Sequence, residues 1–362
     1  MKILYSGSIF FLQKSGGVSR YFVNLVENFL AYNIKTLVVA PLSKNIYLKN
    51  LKKNKCSFYI KKFPNWQIIE KLNYFFFNFI SQKYNPDIIH ETYYNNNNLI
   101  NFKNKIKVLT VYDLIHERFQ NIYYEKNKNN KIDIIRNTDH LICISKKTQK
   151  DLINHYKIQK KKTSVIHLGG DHLKNRYKEY KKENLINDKY ILFVGSREKY
   201  KNFKTLVSSI SSSKKLKKYK IVCFGGGKFS NFEINKYKID DKFINMQGDD
   251  LLLRNLYLFA DVYVNTSNYE GFGITNLEAM SLKCPVVTSD IEVFREICGN
   301  SCLYFKRNNN IDLTKQIIKV ISNKGLRNSL IFRGYNRSKN YTWEKCARKT
   351  LNLYKSLKKI KY

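Results

Sequence analysis

Residues 261–282 read Asp261-Val262-Tyr263-Val264-Asn265-Thr266-Ser267-Asn268-Tyr269-Glu270-Gly271-Phe272-Gly273-Ile274-Thr275-Asn276-Leu277-Glu278-Ala279-Met280-Ser281-Leu282. The run Asp261–Asn265 predicts a strand, the spacing over Gly273–Leu282 predicts a helix, and a loop holding Glu270 to Phe272 joins them. Strand, glycine-bearing loop and helix, in that order, form the building unit of doubly wound parallel sheets. Gly271 and Gly273 let the backbone approach a ligand closely. The N–H groups and dipole at the helix start, near Ile274, then favour an anion such as a diphosphate. Glu270 lies in the loop and Glu278 a turn or more into the helix, so the two carboxylates can face different parts of one ligand. Carboxylates suit paired sugar hydroxyls. Spacing alone also fits a solvated loop glutamate followed by an ordinary helical one.

Working outward, the same alternation repeats along the chain. Strand patterns at Ile3–Tyr5, Thr36–Ala40, Asp87–His90, Ile106–Tyr112, Leu141–Ser145 and Ser164–Leu168 are interleaved with helical stretches such as Val18–Ala31. The stretch Lys146–Tyr156 is helical by pattern, with Ser145 placed to cap it. Residues 171–189 are polar, rich in Lys and Glu, and read as an interdomain linker. The alternation then restarts with strand Tyr190–Val194, helix Asn202–Ser211, strand Lys220–Phe224, a strand beginning near Ile244, helix Leu251–Ala260 and strand Pro285–Thr288. Two α/β domains are therefore expected, at residues 1–170 and 190–340, each with ligands at the carboxyl ends of its strands. Ile311 to Lys359 reads as helical.

Two further loops carry candidate chemistry. After the strand ending at Val194 come Gly195-Ser196-Arg197 and Lys199-Tyr200-Lys201-Asn202. Here Arg197 offers a planar fork for phosphate oxygens and Lys201 a mobile point charge, although most lysines in so basic a chain are surface groups. The first loop, Gln13-Lys14-Ser15-Gly16-Gly17-Val18-Ser19-Arg20-Tyr21, places a glycine pair where backbone N–H groups can take a phosphate, or simply make a turn.

The chain has 362 residues, a 43% apolar share and a net charge of +38. Such composition excludes global disorder and suggests attraction to nucleic acid, anionic membrane or phosphorylated ligands. The excess is spread evenly, +20 over residues 1–185 and +18 over 186–362, so neither half is a basic arm. Asparagine runs at Asn95 to Asn98 and Asn308 to Asn310 accompany the lysines, as a bias of overall composition would produce. Seven cysteines, none in a CxxC and with Cys298 and Cys302 nearest to each other, indicate neither a disulfide framework nor a metal site. Met1 leads straight into a strand pattern and no run approaches a bilayer span, so a cytoplasmic, soluble or peripheral protein is expected.

Together the three loops resemble those of the retaining glycosyltransferases of family 4, which have the GT-B fold of two Rossmann-like domains. Glu270-Gly271-Phe272-Gly273 through Glu278-Ala279-Met280 is similar to that family's E-x7-E signature, and the run 195–202 to its phosphate-binding Arg/Lys pair. Gly16 to Tyr21 resembles its N-terminal glycine loop. Two departures are visible: Lys283 stands where a Gly-x-Pro-Val-Val pattern has its first glycine, and Phe294-Arg295-Glu296-Ile297 replaces a Pro-Glu-Val segment. The resemblance implies transfer of a sugar from a UDP- or GDP-linked donor, with retention, to a glycan or lipid-linked acceptor of surface polysaccharide or glycolipid synthesis. It implies no cofactor beyond that nucleotide-sugar co-substrate and no metal. By the same resemblance Glu278 binds the ribose, Glu270 contacts the donor sugar, and Arg197 with Lys201 stabilises the departing diphosphate. Residues 341–362 would cross back to the first domain. Where many members carry a His-Asp pair this chain has Tyr112-Asp113, leaving His116 or His90 for the sugar-contacting role.

One stretch bears on location. Trp66 to Tyr84 is an aromatic-rich helical pattern, and Lys44, Lys49, Lys52, Lys53, Lys55, Lys61 and Lys62 precede it with no acidic residue between Leu42 and Ile69. Either the helix is buried on a sheet, or it touches an anionic membrane surface. As alternatives to a transferase, a GT-B-type epimerase or phosphorylase and a basic nucleic-acid-binding protein come next. No recognition-helix or zinc pattern supports nucleic acid.

Overall fold

The computed structural model describes residues 1–61, 66–94, 102, 104–119, 128–197 and 199–361. Lys62, the run 95–98 and the Trp66 side chain lie outside what is described. The chain divides into two compact units, Met1–Leu168 with Trp343–Tyr362, and Gly169–Thr342.

In the first unit, strands β1 (Lys2–Ser6), β2 (Lys35–Ser43), β3 (Lys55–Tyr59), β4 (Ile88–Glu91), β5 (Ile106–Val111), β6 (His140–Cys143) and β7 (Thr163–Val165) form one seven-stranded sheet. Its order is β3-β2-β1-β4-β5-β6-β7, every pairing parallel. The second unit holds β8 (Tyr190–Val194), β9 (Lys220–Phe224), β10 (Phe243–Met246), β11 (Val262–Asn265), β12 (Val286–Ser289) and β13 (Leu303–Phe305). They run β10-β9-β8-β11-β12-β13, again parallel throughout. In each sheet the strand order reverses beside its first strand, the arrangement that opens a crevice at the carboxyl ends.

These strands are nearly continuous apolar runs because helices cover both faces of a parallel sheet. In the second unit Ile191, Phe193, Ile221, Val262, Val264 and Val287 pack with Phe203, Leu206 and Ile210 of the helix Phe203–Ser211. In the first, the helix Gly17–Ala31 buries Tyr21, Phe22, Leu25, Val26 and Phe29. The final helix, Trp343–Lys361, lies against it: Trp343 meets Tyr21 at 6.2 Å between ring centroids and Tyr354 meets Phe29 at 6.1 Å. Ser145 caps Lys146–Tyr156 as expected, its hydroxyl accepting from the Thr148 N–H at 2.9 Å.

The structure differs from the sequence reading in three places. Residues 171–189 are not simply a linker. They begin with the helix His172–Arg176, whose His172 and Leu173 are buried inside the second unit. Two anchoring side chains in a polar stretch leave no periodic trace. Strand β3 is absent from the reading because Lys55-Cys56-Ser57-Phe58-Tyr59 sits at a sheet edge and needs only a half-apolar pattern. Strand β13 has three residues, too few to register.

Beside the β3 edge, β2 changes register between Val39 and Leu42. There the Leu42 N–H donates to Asn73 Oδ1 at 2.7 Å, and Asn73 Nδ2 donates to the Leu42 carbonyl at 3.0 Å. Asn73 belongs to the helix Trp66–Tyr84, which is thereby fixed to the strand.

Candidate functional site

In the second unit β8 and β11 are neighbours, paired at Ile191↔Val262 and Leu192↔Tyr263. The chain leaving β8 turns at Gly195, whose N–H donates to the Phe224 carbonyl at 2.9 Å. It then makes a single turn, Lys199–Lys201. The loop leaving β11 is tied to that turn twice: Thr266 Oγ1 donates to the Lys201 carbonyl at 2.7 Å, and the Asn268 N–H to the Tyr200 carbonyl at 2.8 Å. So held, Lys201 Nζ donates to Glu270 Oε1 at 2.6 Å, and Ser267 Oγ donates to the same oxygen at 2.8 Å. The two charged side chains keep 17% and 14% of their surface open. Two motifs 69 residues apart in sequence therefore meet where the strand order reverses.

Four residues past Glu270 the helix Ile274–Ser281 begins, with half-buried Ile274 as its first residue. Gly273 caps it at φ 88°, and a Cβ there would sit 2.5 Å from Phe294 Cε1, so both backbone and space demand glycine. Gly271 is buried in the same loop. Phe272 is a core residue, edge-on to Tyr341 at 6.1 Å, and can offer a ligand only its backbone.

Glu278 is 5% exposed on this helix. Its Oε2 accepts from the Tyr257 hydroxyl at 3.2 Å, and its Oε1 lies 3.3 Å from His172 Nε2. Burial, followed by the Glu278 charge, raises Tyr257 well above its ordinary value, which keeps the hydroxyl a donor. Tyr257 and His172 come from distant segments, and no sequence motif marks either of them. The chain before His172 closes on the helix so tightly that a Cβ at Gly170 would lie 2.5 Å from Leu277 Cβ.

Arg197 is held by more partners than Lys201. Its Nε donates to Glu233 Oε1 at 2.6 Å, Nη1 to the Gly225 carbonyl at 3.2 Å, and Nη2 to the carbonyls of Gly226, Gly227 and Lys228 at 3.0–3.2 Å. The guanidinium also lies over the Phe229 ring at 4.5 Å. Burial alone would raise the Glu233 carboxyl, yet hydrogen bonds from Arg197 and the Ser230 N–H hold it below the ordinary carboxylate range. Arg197 thus secures the loop after β9, where Gly225, Gly226 and Gly227 all have positive φ. That glycine run and Glu233 are site-supporting residues the sequence reading did not single out, and the run itself was the available signal.

In the first unit Gly16 precedes the helix Gly17–Ala31, its carbonyl accepting from the Arg20 N–H at 3.0 Å and from Ser19 Oγ at 3.1 Å. A Cβ on Gly17 would meet nothing within 4 Å. His116 is half-buried in the short helix Ile115–Arg118 after β5. Its neighbour Glu117 anchors that helix through Lys131 Nζ and the Tyr156 hydroxyl, each at 2.5 Å. His90 is fully buried; Nε2 lies 2.9 Å from Thr110 Oγ1 and Nδ1 is hydrogen-bonded to the Tyr354 hydroxyl. Burial lowers its pKa to about 3. The candidacy of His90 as a sugar contact is therefore withdrawn, because both ring nitrogens are occupied inside the core.

Residues 15–172 match the model of Glycosyltransferase Family 4, and residues 175–337 that of Glycosyl transferases group 1. The O-antigen chain mannosyltransferase B of Escherichia coli is 35% identical over 102 residues, covering 28% of this chain and 27% of that protein. The matching segments span between 27% and 62% of the length of such curated relatives. Among solved structures, the sucrose-phosphate synthase of Thermosynechococcus elongatus superposes with a TM-score of 0.75 at 17% identity, covering 99% of each chain. Anabaena HepE in complex with UDP and glucose gives 0.74 at 13% identity, covering 98% of this chain and all of that one. At such identities these likenesses establish the architecture, two parallel-sheet α/β domains of GT-B type. Among the described residues, no helix is long and apolar enough to cross a membrane.

Proposed function

As a member of the group 1 and family 4 glycosyltransferases, this chain, we propose, moves a sugar with retention from a UDP- or GDP-linked donor to a glycan or lipid-linked acceptor in surface-polysaccharide synthesis. The observation that carries the reading is the Lys201–Glu270 pair at the carboxyl ends of β8 and β11, next to the start of the helix that bears Glu278. The O-antigen role named for a relative and the UDP bound by a structural neighbour support the donor and product classes.

In the reaction, the bond from the anomeric carbon to the diphosphate oxygen breaks and its electron pair leaves with the diphosphate. The acceptor oxygen takes the vacated position on the same face and passes its proton to the departing diphosphate oxygen. Lys201 and Arg197 counter the charge growing on the leaving group, helped by the positive end of the Ile274–Ser281 helix, so the step calls for no metal. The donor's own hydroxyls replace the Lys201 ammonium on Glu270, which frees that ammonium for the diphosphate. Glu278 has two acceptor sites beyond those facing Tyr257 and His172, enough for a pair of ribose hydroxyls. His116 is the residue of the first unit left for the sugar-contacting role.

Calorimetry with UDP and GDP tests the division of labour between the glutamates. Glu278→Ala is expected to weaken nucleotide binding about tenfold or more, whereas Glu270→Ala leaves it near wild type and instead lowers kcat more than it raises KM. The reverse pattern would exchange the two roles. Oligonucleotide binding that survives physiological salt, with neither nucleotide bound, would replace the transferase reading by the nucleic-acid one.

A further inference from the structure

The helix Trp66–Tyr84 has two adjoining faces, and among the described residues only one of them is covered. Ile69, Asn73, Phe77 and Ser81 are buried, with Phe77 packed among Leu4, Val39 and Ile89 of the sheet. Ile68, Leu72, Phe75, Phe76 and Phe79 are exposed, Phe75 to 64% and Phe79 to 49%. At roughly 100° per residue these five positions fall within about 100° of arc, a single stripe running the length of the helix. Scattered exposed apolar residues need no explanation, but five large ones in one stripe do.

The charge around the stripe selects its occupant. Lys71 and Lys83 are exposed on the helix itself, with Lys83 Nζ 4.5 Å from the Phe79 ring centroid. The Asn73 bonds hold Leu42 to this helix, and Leu42 pairs in register with Phe58, so the edge strand β3 runs close by. Exposed Lys52, Lys53 and Lys61 flank that strand, and no Asp or Glu occurs between Leu42 and Ile69. Glu70 lies on the other side of the helix, lining a cavity with Gly7 and Ser8. A second copy of this chain would bring like charge against like charge, with +38 on each partner. An anionic lipid surface offers both an apolar medium for the rings and counter-charge for the lysines.

We infer that the helix Trp66–Tyr84 lies in the plane of an anionic membrane surface, inserting Phe75, Phe76 and Phe79 with Leu72 and Ile68 while the lysines meet lipid headgroups. The inference rests on this helix and its surroundings and does not depend on the transferase reading.

The test is sedimentation of the full chain with vesicles of phosphatidylcholine alone or with about 30% phosphatidylglycerol. Binding is expected to be about tenfold or more stronger to the anionic vesicles and to fall as salt is raised. Phe75→Ser combined with Phe79→Ser should lower it about tenfold or more, with an unchanged melting temperature because both side chains point away from the core. Lys71→Glu with Lys83→Glu should lower it on anionic vesicles alone. Wild-type protein left in the supernatant with both vesicles, or a serine variant that binds as wild type does, overturns the inference. So does a wild-type dimer that the serine pair converts to monomer, which would assign the stripe to a second copy. None of these readouts requires a donor, so failure here is separable from failure of the proposed reaction.

Discussion

The two sheets have the same strand order near their reversal points, yet those points are built from different chemistry. In the first unit, at the carboxyl ends of β1 and β4, Ser6 and Thr92 are fully buried and satisfy each other. The Thr92 N–H donates to Ser6 Oγ at 3.0 Å, Thr92 Oγ1 donates to the Ser6 carbonyl at 3.0 Å, and the Ile9 N–H donates to Thr92 Oγ1 at 3.1 Å. It is a closure of hydroxyls and backbone groups. In the second unit the corresponding place holds Lys201 and Glu270, ionic and partly open to solvent. A shared topology thus supplies two crevices, and side-chain chemistry decides which one is kept ready for a charged ligand.

The largest effect should come from the charged crevice. Lys201→Ala is expected to cut kcat by about 10²-fold or more, the scale of removing one donor to developing charge, with folding retained. Turnover near wild type would remove Lys201 from the reaction. Thr92→Val, in the first unit, should act on stability instead. It strands the buried Ile9 N–H at a cost of about 2 kcal/mol, read as a lower denaturation midpoint with donor KM unchanged. A raised donor KM in Thr92→Val would erase the distinction between the two places.

The smallest effect is an acid sensitivity confined to the first unit. His90 keeps its imidazole neutral down to about 3, whereas the unfolded chain protonates it near the ordinary 6.5. Between those values the unfolded state holds the extra proton, so the contribution is intact above 6.5 and is lost as pH falls through that window. One pH unit below 6.5 the loss is about 1.4 kcal/mol. The check is an NMR titration of the His90 ring, expected to be flat between pH 5 and 8. A midpoint near 6.5 would contradict its burial.

Much of this was legible in the sequence because the signals are local. Tyr190–Val194 and Lys220–Phe224 are strands with the boundaries read from their apolar runs, and the glycine loop before Ile274 announces a helix start. The meeting of Lys201 with Glu270 depends on β8 and β11 being neighbours, an order that the alternation of runs does not give. The partners of Arg197 were not legible, because a guanidinium serves a carboxylate and backbone carbonyls as well as it serves phosphate, and only the fold brings Glu233 and Gly225 to it. His172 and Tyr257 reach Glu278 from separate helices, a convergence that no spacing encodes. His90 ends an apolar strand run in the same manner as a ligand-facing residue would. Its core position follows from Tyr354, 264 residues away.

The irregularity in β2 carries a consequence for which amino acids position 73 can accept. The Leu42 peptide needs an acceptor and a donor from one short side chain, and Asn73 supplies both through its amide. Aspartate would present oxygen to the Leu42 carbonyl, leucine would match the shape and satisfy neither group, and glutamine would overshoot by one methylene. A single codon family is thereby specified by a kink in a neighbouring strand. Among designed or randomised variants of this helix, asparagine at 73 should be the choice that returns most often, however freely the outward-facing phenylalanines beside it are exchanged.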